Sequence, residues 1–328
     1  MIADAHNDLL IEVAWREAEG EQNPFAEHWL PKLQDGGVGL QVCPMFVAIE
    51  HLPEAALRVA FGQAAAFHRL IDANAGAVRA LTTRADLDGD GIGLMLSLEG
   101  VEPLGADPSL IDAFWALGVR MVGLTWNRRN AFADGAAERG GLSTLGEELV
   151  DRLVTLGAII DLAHASERTF WEVLERADGA AVLISHACCR AVCDTPRNPS
   201  DEQLRAISER GGILGVMALP SVVDPAQPTI ERLVDHVDHA VDVMGIDHVG
   251  LGGDFVRQLF ASGAATISAR ERTLAPAGSD VRRGMDELPG PEAYPALVDA
   301  LNRRGYRGER LEAILSRNLV RFFNEALP

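Results

Sequence analysis

Short apolar runs recur along this chain, with amphipathic stretches between them. The runs are "IADAH" (2–6), "VGLQVCPMF" (38–46), "IGLMLSLE" (92–99), "RMVGLTW" (120–126), "AIIDLAH" (158–164), "AVLISH" (181–186), "GILGVMAL" (212–219) and "HVGLGGD" (248–254). They are nearly continuous rather than alternating, the pattern of parallel strands buried on both faces. Helical spacing marks the segments between them, clearest at 53–75 and 145–157. In 229–245, Ile230, Leu233, Val234, Val237, Val241 and Met244 form one stripe. Ser166 before Glu167 is a candidate N-cap for a helix over 166–177, and glycines stop the helix that begins at 200. Eight strands alternating with helices predict an α/β fold, a (β/α)8 TIM barrel, with a doubly wound open sheet as the alternative. No linker, low-complexity tract or repeat divides residues 1–328, so one barrel domain is expected. The stretch 255–292, rich in Gly, Pro, Ala and charge, is expected to be a long loop with some helix after the last strand, a candidate lid.

Composition narrows the partners. With 48% hydrophobic residues the chain can bury a large core. A formal net charge of −19 argues against nucleic acid, whose phosphates require stripes of Lys and Arg, and against docking on anionic lipid. The first ten residues show no signal-peptide pattern, and no apolar run reaches membrane-spanning length. Cys43, Cys188, Cys189 and Cys193 include no C-x-x-C pair and read as reduced, mostly buried thiols. A cytoplasmic protein without a membrane partner is the expectation.

The chemistry lies where the runs end. His6 and Asp8 close the first, Glu99 the third, His164 the fifth, His186 the sixth and Asp254 the eighth. In a parallel barrel these ends converge on one face. Carboxylates gathered there raise each other's pKa unless a cation offsets them. Mixed imidazole and carboxylate donors suit zinc, with manganese, iron or cobalt as other options. Six candidates exceed the roughly three ligands of one catalytic zinc. They fit two metal ions, one carboxylate bridging and another kept as acid and base.

Six stretches carry a family resemblance: "DAHNDL" (4–9), "SLEG" (97–100), "GLTWNRRNAFADG" (123–135), "IDLAHAS" (160–166), "ISHACCRAVCDTPRN" (184–198) and "HVGLGGDF" (248–255). In this order they resemble the renal (membrane) dipeptidase family of the metal-dependent amidohydrolase superfamily. The resemblance implies a barrel with two Zn2+ ions hydrolysing dipeptides, tolerant of a D-residue at the C-terminal position, and suggests a homodimer. It implies His6 and Asp8 on one zinc, His164 and His186 on the other, and Glu99 bridging. Asp254 becomes the proton shuttle, and Arg197 the clamp on the substrate carboxylate. Trp126 stands where the family commonly has a histidine that helps hold the tetrahedral intermediate. Losing one such donor costs about 10²–10³ in rate unless Asn127, Asn130 or the indole N–H replaces it. Trp126 and Asn127 are therefore assigned to substrate binding. Val256 and Arg257 replace the residues that usually follow "GGDF" and alter that wall. Hydrolysis of N-acyl amino acids, lactams or lactones is the alternative reading, and a non-catalytic metal-binding member the more distant one.

Other motifs read as ordinary structure. "DLDGDG" (86–91) begins like a calcium loop, but Ser97 occupies the position that needs a bidentate Glu, so a polar turn is expected. His236 and His239, amid Asp235, Asp238 and Asp242, read as a solvated helix face.

Overall fold

The structure, a computed structural model, describes residues 1–265 and 282–328. Among these, nine strands form one parallel sheet: β1 (Ile2–Asp4), β2 (Val38–Phe46), β3 (Val78–Ala80), β4 (Ile92–Glu99), β5 (Met121–Gly123), β6 (Ile159–Asp161), β7 (Val182–Ala187), β8 (Leu214–Val216) and β9 (Val249–Leu251). The order runs β2-β1-β9-β8-β7-β6-β5-β4, and β2 pairs with β4 over seven registered positions, Leu40↔Gly93 to Phe46↔Glu99, which closes the ring. This is the closed eight-stranded barrel of the (β/α)8 class, with every strand end facing the same way.

Strand periodicity separates two apolar layers. Leu94, Leu96 and Leu98 of β4 join the layer between barrel and helices, whereas Met95 joins the barrel interior with Ala3, Leu40, Val42, Met121, Ile159, Leu183 and Ile213. By the same alternation Ser97 and Glu99 follow Met95 inward. Phe322 and Phe323 of the C-terminal helix Asn318–Ala326 pack on that interior cluster. Helices predicted over 53–75, 145–157, 166–177, 200–212 and 229–245 occupy Ala56–Ala73, Thr144–Leu156, Glu167–Arg176, Asp201–Glu209 and Ile230–Met244. Ser166 caps its helix by accepting from the Thr169 N–H at 3.0 Å.

Three readings need correction. The strand β3 was not expected; it pairs only with the start of β4, outside the ring. Several strands are shorter than their apolar runs, so His6, His164 and Asp254 lie just beyond β1, β6 and β9. His236 is fully buried, accepting from the Cys189 N–H and donating to the Val223 carbonyl, so it ties the segment after β7 to the short helix Pro220–Val223 rather than meeting solvent.

The candidate lid 255–292 begins with a short helix, Arg257–Ser262, and its residues 266–281 lie outside the described residues. Arg257 pairs with Asp286 at 2.6 Å, so its charge is satisfied at the surface. In "DLDGDG" the Arg79 guanidinium donates to the carbonyls of Asp86, Leu87, Asp90 and Gly91, and Asp86 caps the turn at Thr82 and Thr83. No helix among the described residues is long and apolar enough to cross a membrane.

Candidate active site

The strand ends bring the expected side chains together. Glu99, the last residue of β4, reaches three imidazoles: its Oε1 lies 2.9 Å from His164 Nε2 and 3.6 Å from His186 Nε2, and its Oε2 lies 3.7 Å from His6 Nε2. His6 Nε2 is 3.9 Å from Asp8 Oδ1, and its ring stacks on that of His186 with centroids 3.6 Å apart. Ligand atoms of His6, Glu99 and His186, and likewise of His6, Asp8 and Asp254, lie within 4.8 Å of one another. His186 sits where the β7–β8 register slips between Ile184 and Ala187. That bulge lets the consecutive Ser185 and His186 both serve the polar cluster.

Local backbone geometry sets two of these groups apart. Among the described residues, His164 (φ 63°) and Asp254 (φ 50°) are the non-glycine residues with left-handed backbone. Such a conformation costs about 1–3 kcal/mol and persists where the surroundings over-determine it. It lies three residues past the last position of β6 and of β9. The Asp254 N–H donates to the His6 carbonyl at 3.0 Å, linking the two sides of the site.

The donor set fits divalent metal ions. His164 Nδ1 lies 2.8 Å from Asn127 Oδ1, an oxygen that only accepts, so the proton is on Nδ1 and the Nε2 lone pair is free. That lone pair faces His186 Nε2 at 2.8 Å. Both nitrogens of His6 and Asp8 Oδ1 are buried with no hydrogen-bond partner. Burial, with the Arg197 charge, brings His6 down to about 3, so its imidazole is neutral. Burial pushes the carboxyls of Asp8, Glu99 and Asp254 upward; Asp254 adds repulsion on Asp8, and Asp8 and Asp254 on Glu99. Facing lone pairs, neutral imidazoles and three crowded carboxylates are what a cation relieves.

The remaining predicted residues line the same cavity, about 1330 Å³ in volume. Arg197 is half-buried and donates to the His186 carbonyl at 2.7 Å. Trp126 lies edge-on to Phe46, with centroids 5.4 Å apart, and tilts over His164 at 6.1 Å. Asn127 is held by His164, so its oxygen orients an imidazole as well as lining the cavity. Asn130 turns away from the cavity, bonding the Leu124 carbonyl and the N–H groups of Phe132 and Ala133.

Sequence reasoning missed Asp4, Asp161, Phe46 and Tyr294. Asp4 Oδ1 accepts from the N–H groups of His6 and Gly253, pinning β1 to β9 below the site. The signal was present: an acid inside each of the apolar runs "IADAH" and "AIIDLAH".

With that geometry established, comparison with known proteins is specific. The sequence profile of the membrane dipeptidase family (peptidase family M19) matches residues 1–272. This chain belongs to that family. Human dipeptidase 3 is 27% identical over 340 residues, covering 99% of this chain and 64% of that protein. An uncharacterized dipeptidase of Schizosaccharomyces pombe is 32% identical over 238 residues, covering 70% of this chain and 52% of that protein. The chain thus spans less than two thirds of the length of these relatives. Among solved structures, a metallo peptidase from Rhodobacter sphaeroides, liganded with a phosphinate mimic of the dipeptide L-Ala-D-Ala, superposes with a TM-score of 0.82 at 24% identity, covering 100% of this chain and 99% of that one. An amidohydrolase from Pseudomonas aeruginosa superposes with a TM-score of 0.81 at 20% identity, covering 100% and 96%. These two share the fold.

Proposed function

We propose that this M19 family member is a dipeptidase that works with two divalent metal ions, zinc in the first instance. The observation that carries the reading is the convergence of His6, Asp8, Glu99, His164, His186 and Asp254 with their lone pairs free and facing one another. His6 and Asp8 would hold one ion and His164 and His186 the other, with Glu99, within reach of all three imidazoles, available to both. Bound metal supplies a water acidified towards neutrality and polarises the scissile carbonyl.

The chain's own residues do the rest. Asp254, held at the rim by its strained backbone, takes the proton of the attacking water and returns it to the leaving amine. Arg197 presents a half-buried guanidinium in the cavity wall to the substrate carboxylate, a planar fork that a lysine does not reproduce. Carboxylate clamp and metal centre together measure length, so a tripeptide overshoots. Trp126 and Phe46 form an aromatic wall beside His164 for an apolar substrate group. The family resemblance extends the proposal to a D-configured second residue, as in the mimic bound to the Rhodobacter protein. A cytoplasmic location, in keeping with four free thiols, and a homodimer complete it.

A second reading draws on cavity size. Sites that bury drug-sized ligands measure about 300–1,000 Å³. At about 1330 Å³ this cavity exceeds that range, and a larger acyl group than an aminoacyl residue fits beside Trp126. A panel of L,L- and L,D-dipeptides, set beside N-acyl amino acids, lactams and lactones, separates the two with zinc-loaded protein. Dipeptides are expected to give the highest kcat/KM; preference for an N-acyl or cyclic substrate overturns the dipeptidase assignment.

Arg197→Ala is expected to raise KM roughly ten- to hundredfold, the equivalent of a charge-assisted hydrogen bond of about 1.5–3 kcal/mol, with a smaller change in kcat. Steady-state kinetics on one dipeptide decide it, and an unchanged KM removes Arg197 from the substrate.

A further inference from the structure

Two buried carboxylates at strand ends repeat one hydrogen-bonding pattern. Asp4 Oδ1 accepts the N–H of His6, two residues on, and of Gly253 beside it, while its Oδ2 accepts the Tyr294 hydroxyl at 2.7 Å. Asp161 Oδ1 accepts the N–H of Ala163, two residues on, at 3.0 Å and of Ser185 on the adjacent strand at 2.9 Å. Its Oδ2 accepts the Ser185 hydroxyl. Each aspartate thus ties two neighbouring strands at the rim of the barrel.

The two devices differ behind the hydroxyl. The Tyr294 hydroxyl ends at Asp4. The Ser185 oxygen, in contrast, lies 2.7 Å from His186 Nδ1. A hydroxyl carries one hydrogen. Ser185 commits it to Asp161, so its oxygen accepts from His186. That bond places the imidazole proton on Nδ1 and leaves the Nε2 lone pair facing His164 and Glu99. Asp161, Ser185 and His186 are all buried, so water does not compete for these bonds.

We infer that Asp161 and Ser185 are positioning residues, a carboxylate–hydroxyl–imidazole relay that fixes the tautomer and ring orientation of His186 for a divalent cation. This rests on the proposal that His186 is a metal ligand. Outer partners of metal-bound histidine fix orientation and basicity in this way, and their loss costs about 10–100-fold in metal affinity. Asn127 does the same for His164, so each imidazole on Glu99 Oε1 has its own orienting acceptor.

The test is zinc affinity, read by competition with a chromophoric chelator, for the parent chain, Ser185→Ala, Ser185→Thr and Asp161→Asn, with far-UV circular dichroism as the check on folding. Ser185→Ala and Asp161→Asn are expected to bind zinc about 10–100-fold more weakly. Ser185→Thr keeps the hydroxyl and is expected to stay near the parent, which a purely structural role for the small side chain does not explain. The visible spectrum of the cobalt-substituted protein is expected to change in Ser185→Ala and not in Ser185→Thr. Should Asp161→Asn fail to fold, the two serine variants decide the matter. Ser185→Ala with parental zinc affinity, or Ser185→Thr as weak as Ser185→Ala, overturns the relay. A parent chain that binds no zinc instead overturns the metal assignment itself.

Discussion

Asp254→Asn is expected to leave fold and metal content intact and to lower kcat by about 10²–10⁴, the usual contribution of a positioned general acid and base. Asparagine is the right replacement because Asp254 sits at φ 50°, and asparagine, like aspartate, tolerates the left-handed region. The hydrogen bond from its N–H to the His6 carbonyl is also kept, since it is made by the backbone. What changes is the acid itself: an amide neither takes nor returns a proton. Alanine at the same position adds backbone strain and blurs the result. Kinetics on a good dipeptide, with metal content measured on the same sample, decide the matter. A variant that retains most of the parental kcat removes Asp254 from proton transfer, and one that loses its metal makes it a ligand instead.

Glu99→Gln is expected to be as damaging for a different reason. Glu99 is the side chain that approaches His6, His164 and His186 together. Glutamine keeps the volume but offers one oxygen, and its NH2 end cannot coordinate a metal. The variant is expected to retain at most one of two ions and to lose about 4 kcal/mol of barrier lowering, roughly a thousandfold in kcat/KM. Metal-free protein is expected to respond in the opposite sense. Without cations, burial and the charges of Asp8 and Asp254 disfavour the Glu99 carboxylate. Removing that charge relieves the cluster, so metal-free Glu99→Gln is expected to melt above metal-free parent. Elemental analysis and thermal melts of both forms check this. Full metal content in the variant contradicts the bridging role.

The ring of strands was legible because its apolar runs are continuous, and the site because five of the eight runs close on residues able to bind metal. What the runs concealed is geometric. Nothing in "AIIDLAH" says that the strand stops at Asp161, three residues before the left-handed backbone at His164. The strand β3 is three residues with Arg79 at its centre, too short and too polar to register as periodic. Asp4 and Asp161 were visible as acids inside apolar runs. Their role depends on N–H groups of neighbouring strands, and for Asp4 the partner is Gly253. His236 was misread because its partners, Cys189 and Val223, belong to segments after β7 and β8 that only the closed barrel brings against that helix.

Metal stoichiometry tests the central claim most directly. Protein stripped with chelator, reloaded with zinc and desalted is to be measured by inductively coupled plasma spectrometry alongside dipeptide turnover. Close to two zinc ions per chain, with activity lost on stripping and regained on reloading, is the expected result. Stripped protein that hydrolyses dipeptides at the full rate, or reloaded protein that holds no zinc, contradicts the account.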